Sequence, residues 1–134
     1  MAGVRQLQNQ VPIMIYTADF ISLEDDEKDI ILSFAIPDED RGVKSLILHR
    51  TLFFEEFLPD EERGVKVSLE GENLDCGKLN MLESIELSNT RFEIISSCSN
   101  YVIDISKIDE LELSKLKSLL HKQNYDNRFK IKNA

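Results

Sequence analysis

Apolar residues recur at every second position through most of this chain, and the period changes only toward its C-terminal end. Ile13, Ile15, Ile21 and Leu23 share one side of an extended segment. Asp19 interrupts it, which predicts an irregularity or an edge position. A polar turn over residues 25–29 returns the chain into Ile30, Leu32, Phe34 and Ile36, so the two segments read as an antiparallel hairpin. Pro37 removes a backbone donor and the acids and glycine of residues 38–42 favour a turn, ending that strand. Residues 45–54 are apolar on both sides, through Leu46, Leu48, Leu52 and Phe54 on one and Ile47 and Phe53 on the other. That pattern predicts a central strand covered on both faces.

A polar loop with Pro59 follows over residues 55–63, with room for a helical turn. Val65, Val67 and Leu69 then alternate with polar residues as a half-buried strand. Gly71 and Gly77 mark irregular chain over residues 70–78. Ile85 and Leu87, a turn at Asn89 and Thr90, then Phe92 and Ile94 form the clearest hairpin signal, and a second turn over residues 97–100 leads to Tyr101, Ile103 and Ile105. Beyond this the spacing becomes helical, with Ile108, Leu111, Leu116, Leu119 and Leu120 on one face. Asp109 and Glu112 have the form of a capping box, and Lys115, Lys117 and Lys122 are placed in solvent. The predicted class is α+β, a mostly antiparallel sheet of about seven strands with one C-terminal helix. The predicted organisation is a mobile arm over residues 1–10, one domain over residues 11–123, and a frayed basic tail over residues 124–134.

At 134 residues with 42% apolar and 31% charged content, the chain suits one domain with its own core. Its net charge of −9 is uneven. Lys122, Arg128, Lys130 and Lys132 face only Asp126 in the last thirteen residues, so that stretch is +3 and residues 1–121 carry −12. A body of that sign repels nucleic acid and anionic membranes and speeds encounters with basic proteins. The same acids also serve simply to keep a domain soluble. No run approaches the ~20 apolar residues of a membrane span and no signal-type cleavage site follows residues 11–23, so a soluble, unsecreted, cytoplasmic protein is expected. Cys76 and Cys98 lack metal or redox spacing, which suits a reducing compartment; only their separation in space decides whether they bond.

Residue types that carry catalysis are scarce. His49 and His121 are the two near-neutral bases. Ser45 shares a strand face with His49 but lies roughly 13 Å away along extended chain, and His121 suits a helix C-terminus. Asp75 beside Cys76 works against a thiolate. The consecutive Asp38, Glu39 and Asp40 lack the alternating ligands of a calcium loop, and the chain carries no phosphate loop or zinc spacing. A non-enzymatic binding module without cofactor or metal is expected; an enzyme would need a cleft gathering Asp104, His49 or Tyr101.

The stretch Ala18, Asp19, Phe20, Ile21, Ser22, Leu23, Glu24, Asp25, Asp26, the strand over residues 30–35, and Leu46, Ile47, Leu48, His49, Arg50 resemble the immunity protein 10 family of bacterial polymorphic toxin systems. That family's order is an F-I-S-x-E-D-D start, a hydrophobic strand, and a Y-L-I-L-Q-R strand. The resemblance extends more weakly through residues 64–70 and 116–120. His49 replaces the family's glutamine, and Cys76, Gly77, Lys78 replace its Y-G-G. The resemblance implies an inhibitor that occludes a cognate toxin, which the acids suggest is basic. Asp38, Glu39, Asp40, Glu55, Glu56, Asp60, Glu61 and Glu62 are the expected contacts, with Phe57 as an anchor between them. The alternative is an acidic scaffold or adaptor domain that self-associates or binds another basic protein.

Overall fold

A computed structural model describes residues 15–133; the arm expected over residues 1–10 lies outside the described residues. The α+β class holds, with nine strands in two sheets and one long helix among the described residues. Strands β2 (Phe20–Asp25), β3 (Asp29–Asp38), β4 (Gly42–Thr51) and β5 (Lys66–Leu69) form an antiparallel sheet in chain order. The second sheet runs β1 (Ile15–Thr17), β8 (Asn100–Asp104), β7 (Arg91–Ser96), β6 (Leu82–Leu87), β9 (Lys130–Asn133), with its two outer strands parallel to their neighbours.

Two strands account for the count above seven. The interruption at Asp19 is a change of sheet: the Ala18 amide donates to the Asp104 carbonyl in one sheet, and the Asp19 amide to Ala35 in the other. What reads as a single first strand is therefore β1 and β2. The ninth strand corrects the frayed tail. Residues 130–133 pair with β6, and Phe129 just before them is 4% exposed.

The inner faces of both sheets make one core, in which Phe34 of β3 and Phe92 of β7 meet with ring centroids 5.0 Å apart. A second seam, at the Lys66–Met81 bridge and the Leu82 amide bond to Val65, joins the sheets on the side away from Ala18. Helix α1 (Glu110–Gln123) lies over β2 and β3 and contributes Leu113, Leu116 and Leu120 to the core. Asp109 caps it, its carboxylate accepting the Glu112 amide at 2.8 Å. The expected apolar face is corrected at one position: Leu111 is exposed and Leu113 takes its place.

β3 and β4 pair over all ten residues of each. At ~3.4 Å per residue, the hairpin tip and the base of β4 stand about 30 Å apart. The expected reduced thiols are also corrected: Cys76 and Cys98 form a disulfide, their Cα atoms 5.8 Å apart. It ties the exposed chain over residues 71–79 to the turn between β7 and β8.

Candidate functional site

Period-2 alternation places Leu46, Leu48 and Arg50 on the same inward side of β4, and all three are fully buried. A guanidinium removed from water is tolerable only when its charge and donors are matched. Here every nitrogen is engaged. Nε donates to Glu55 Oε2 at 2.9 Å. Nη1 donates to the Gln123 carbonyl at 2.7 Å and to Asp126 Oδ1 at 2.8 Å. Nη2 reaches Asp126 Oδ2 at 3.0 Å, the Tyr125 hydroxyl at 3.1 Å, and Glu55 Oε1. The Tyr125 ring lies 4.3 Å from the guanidinium carbon, within cation–π range.

The network continues outward. Asp126 Oδ2 accepts Arg128 Nε at 2.8 Å, and Arg128 Nη2 donates to Asp60 Oδ1 at 2.8 Å. Acids and bases thus alternate from Glu55 through Arg50, Asp126 and Arg128 to Asp60. Burial pushes the Glu55 carboxyl up, but Arg50, the Gly64 amide and Tyr125 together bring it below the usual carboxylate range. The Gly64 amide can donate to Glu55 at 3.1 Å because this glycine holds φ at +115°, which side-chain-bearing residues rarely adopt. Asp126 is held to about 2, chiefly by its hydrogen bonds from Arg50 and then by Arg128. Burial opposes the charge of Arg50, yet its two acids outweigh that and raise its pKa.

What the network fastens is the loop after β4. Its start is tied down where the Leu52 amide donates to the Lys28 carbonyl at 2.7 Å. Two 3-10 turns, Glu55–Phe57 and Asp60–Glu62, follow. Arg63 folds back to donate to the Leu58 and Glu56 carbonyls at 3.0 and 3.1 Å. On this anchored loop Phe53, Phe54 and Phe57 are 56%, 58% and 75% exposed, and Tyr125 beside Glu55 is 62% exposed. Phe53 and Phe54 meet edge to face with centroids 4.7 Å apart. Four of the ten aromatic residues are therefore presented to solvent at one end of the molecule.

The structure divides the expected contact set. Glu55 is corrected from a solvated contact to a buried partner of Arg50, whose charge it neutralises together with Asp126. Asp60 is exposed and paired with Arg128. Glu56 and Glu61 are exposed and Glu62 half-buried, and none of the three has an ion pair among the described residues. Phe57 belongs with these acids. Asp38, Glu39 and Asp40 sit at the hairpin tip, with Asp38 3.8 Å from Lys44, so Phe57 does not stand between the two acid groups. A standard interface of about 800 Å² per partner centred on one end leaves the other outside.

Arg50, Tyr125, Asp126, Phe53 and Phe54 are absent from the expected set. Arg50 carried a usable signal, a charge in phase with Leu46 and Leu48. Phe53 and Phe54 read as more strand, and Tyr125 and Asp126 fell in the stretch expected to fray.

His49, Tyr101 and Asp104 each have a different partner. His49 Nε2 lies 2.7 Å from Asp29, the Tyr101 hydroxyl donates to Glu72, and Asp104 accepts from Ser106. Among the described residues no group of three or more His, Cys, Asp or Glu is placed to hold a metal ion. No helix among them is long and apolar enough to cross a membrane.

This end of the molecule carries exposed aromatic residues on an anchored loop together with carboxylates that have no ion pair among the described residues. In comparisons with known proteins, no family, curated protein or solved structure matches this chain.

Proposed function

We propose that this chain is an immunity-type inhibitor that binds a cognate toxin domain and occludes its active site or substrate path. The observation that carries the reading is the exposure of Phe53, Phe54 and Phe57 on a loop that also carries Glu56, Glu61 and Glu62, with exposed Tyr125 and the loop's Glu55 both held by Arg50. Exposed aromatics on a fastened loop bind with little loss of conformational freedom. The carboxylates supply long-range attraction to a basic partner, reinforced by the −12 charge of residues 1–121. The strand resemblance to immunity protein 10 supplies the partner class, a toxin encoded beside its inhibitor. On that resemblance the encounter takes place in the cytoplasm, whereas the Cys76–Cys98 disulfide favours an oxidising compartment. Trapping thiols in intact cells decides between the two.

Coexpression with the product of the neighbouring gene tests the reading directly. Rescue of growth and a complex that survives purification support it. A chain that forms only homo-oligomers and leaves toxicity unchanged overturns it in favour of the scaffold alternative. Within the complex, reversing Glu56, Glu61 and Glu62 to lysine slows association and flattens its dependence on salt. Reversing Asp38, Glu39 and Asp40 at the far tip leaves the rate within about twofold, the residual effect of net charge at that distance.

A further inference from the structure

The two bonded cysteines are held in unlike ways. Cys98 is half-buried in the turn between β7 and β8, and hydrogen bonds fix that turn in place. Its amide donates to Asn80 Oδ1 at 3.0 Å, and Asn80 Nδ2 donates in turn to the Val67 carbonyl at 3.2 Å. Beside it the Ser97 hydroxyl donates to the Leu79 carbonyl at 2.7 Å and accepts the Met81 amide at 2.8 Å. Cys76 instead lies on chain that is exposed throughout residues 71–79. Both ends of that chain have anchors of their own, since Glu72 accepts the Tyr101 hydroxyl and Leu79 is held by Ser97. Among the described residues, the covalent and hydrogen-bond links from residues 73–78 to the rest of the molecule all end on the Cys98 sulfur.

We propose that Cys76 is a thiol-exchange site, and that its bond to Cys98 is a redox-sensitive latch on residues 73–78 that opens without unfolding either sheet. A low-molecular-weight thiol, as its thiolate, attacks Cys76 Sγ and forms a new S–S bond there. The Cys76–Cys98 bond breaks, and its electron pair leaves on Cys98, which takes a proton from water. A second molecule of the thiol attacks the small-molecule sulfur of this mixed disulfide and releases Cys76 as a thiol. Two small thiols are thereby oxidised to one disulfide while the cysteine pair is reduced. Three features support this course. The Cys76 side of the bond is open to solvent, and exposed disulfides are the ones that thiols open most readily. Cys98 keeps its place through Asn80 when the bond opens, so it remains positioned to attack the mixed disulfide and close the latch again. The Lys78 carbonyl lies 3.5 Å from Cys76 Sγ and 3.6 Å from Cys98 Sγ. A disulfide offers that oxygen no proton, whereas either thiol can donate to it, so the open form gains a hydrogen bond. A frame that persists in both states suits a reducing or an oxidising compartment, and only the pinning of residues 73–78 differs between them.

The test exposes the intact chain, without denaturant, to millimolar reduced glutathione, alkylates free thiols at intervals with iodoacetamide, and locates both groups by peptide mass. Early samples are expected to carry glutathione on Cys76 and the alkyl group on Cys98, and late samples the alkyl group on both. Opening is expected to run at least about tenfold faster than global unfolding of the same chain, because it requires only local release. Amide exchange on the reduced chain is expected to rise over residues 73–78 and to stay unchanged at Phe34 and Phe92, and oxidised glutathione is expected to restore the bond. Early adducts chiefly on Cys98 overturn the assignment of the exchange site. Opening no faster than global unfolding overturns the latch, as does faster exchange at Phe34 and Phe92, which would make the bond a support of the core.

Discussion

The guanidinium of Arg50 joins Glu55, five residues further along the chain, to Asp126, seventy-six residues further along. One side chain therefore fastens the end of β4, the loop that carries the exposed phenylalanines, and the segment leading into β9. Arg50→Met strands Glu55 in the interior and removes the main partner of Asp126. The expected loss is about 3–5 kcal/mol, read from urea denaturation. Replacing both buried partners, Arg50→Met with Glu55→Leu, is expected to recover at least half of it, because a matched apolar pair leaves no buried charge behind. A single-variant loss below about 1 kcal/mol would show that the pair contributes no more than an exposed ion pair does.

The same network sets the response to acid. Asp126 and Glu55 both have folded pKa values below their unfolded ones, so each contributes stability that is complete above the unfolded carboxylate range, near ~4. The contribution of Asp126 disappears as pH falls toward about 2. Asp126→Asn is therefore expected to lie a constant interval below the parent chain above pH ~5, with the gap closing on the way to pH 2. Urea midpoints measured over that range check this. A gap that stays constant to the lowest pH would mean the aspartate acts through packing and not through its charge.

Phe57→Ala separates docking from folding. The side chain is mostly in water, so the melting temperature should stay within the range of ordinary surface changes, an effect under about 0.5 kcal/mol. Affinity for the partner should fall at least tenfold, the loss typical of a central aromatic anchor. Calorimetry on the complex and a thermal melt of the free chain give both numbers.

The disulfide makes a different kind of prediction. Cys76 and Cys98 are separated by 22 residues, and closing a loop of that size restricts the unfolded chain by about 3 kcal/mol. Reduction, or Cys98→Ser, should lower stability by that amount. Hydrogen exchange should quicken chiefly over residues 71–80. Exchange that instead speeds up across both sheets would show that the bond supports the core and not the loop alone.

Much of the sheet architecture is legible in the chain because β-branched and aromatic residues alternate cleanly with polar ones around short turns. Ile85, Leu87, Phe92 and Ile94 take the hairpin their spacing predicts. The change of sheet at Ala18 and Asp19 shows in sequence only as a polar interruption, since alternation carries no information about which neighbour a strand will pair with. β9 is hidden for a related reason. Lys130, Ile131, Lys132 and Asn133 present one half-buried apolar residue among exposed polar ones, and the strand exists because β6 offers it an open edge. Leu111 and Leu113 differ only in phase, which is set by how α1 rests on β2 and β3 and not by its own composition. Of the docking end, Phe57 and the unpaired glutamates were visible as an exposed, acidic loop. Tyr125 was not, because it joins that face through contacts to Glu55 and Arg50 that span seventy residues or more.

The position of β9 has a consequence for synthesis. Eight of the described strands precede it in the chain, yet this outer strand of the second sheet, and the Tyr125 and Asp126 that hold the phenylalanine loop through Arg50, are translated after all of them. While residues 125–133 are still in the ribosome, Arg50 lacks one of its two acids and the phenylalanine loop lacks its C-terminal fastening. A nascent chain can fold most of its sheets as it emerges. On the inhibitor reading proposed above, capture of a partner waits until translation has carried this stretch clear of the exit tunnel.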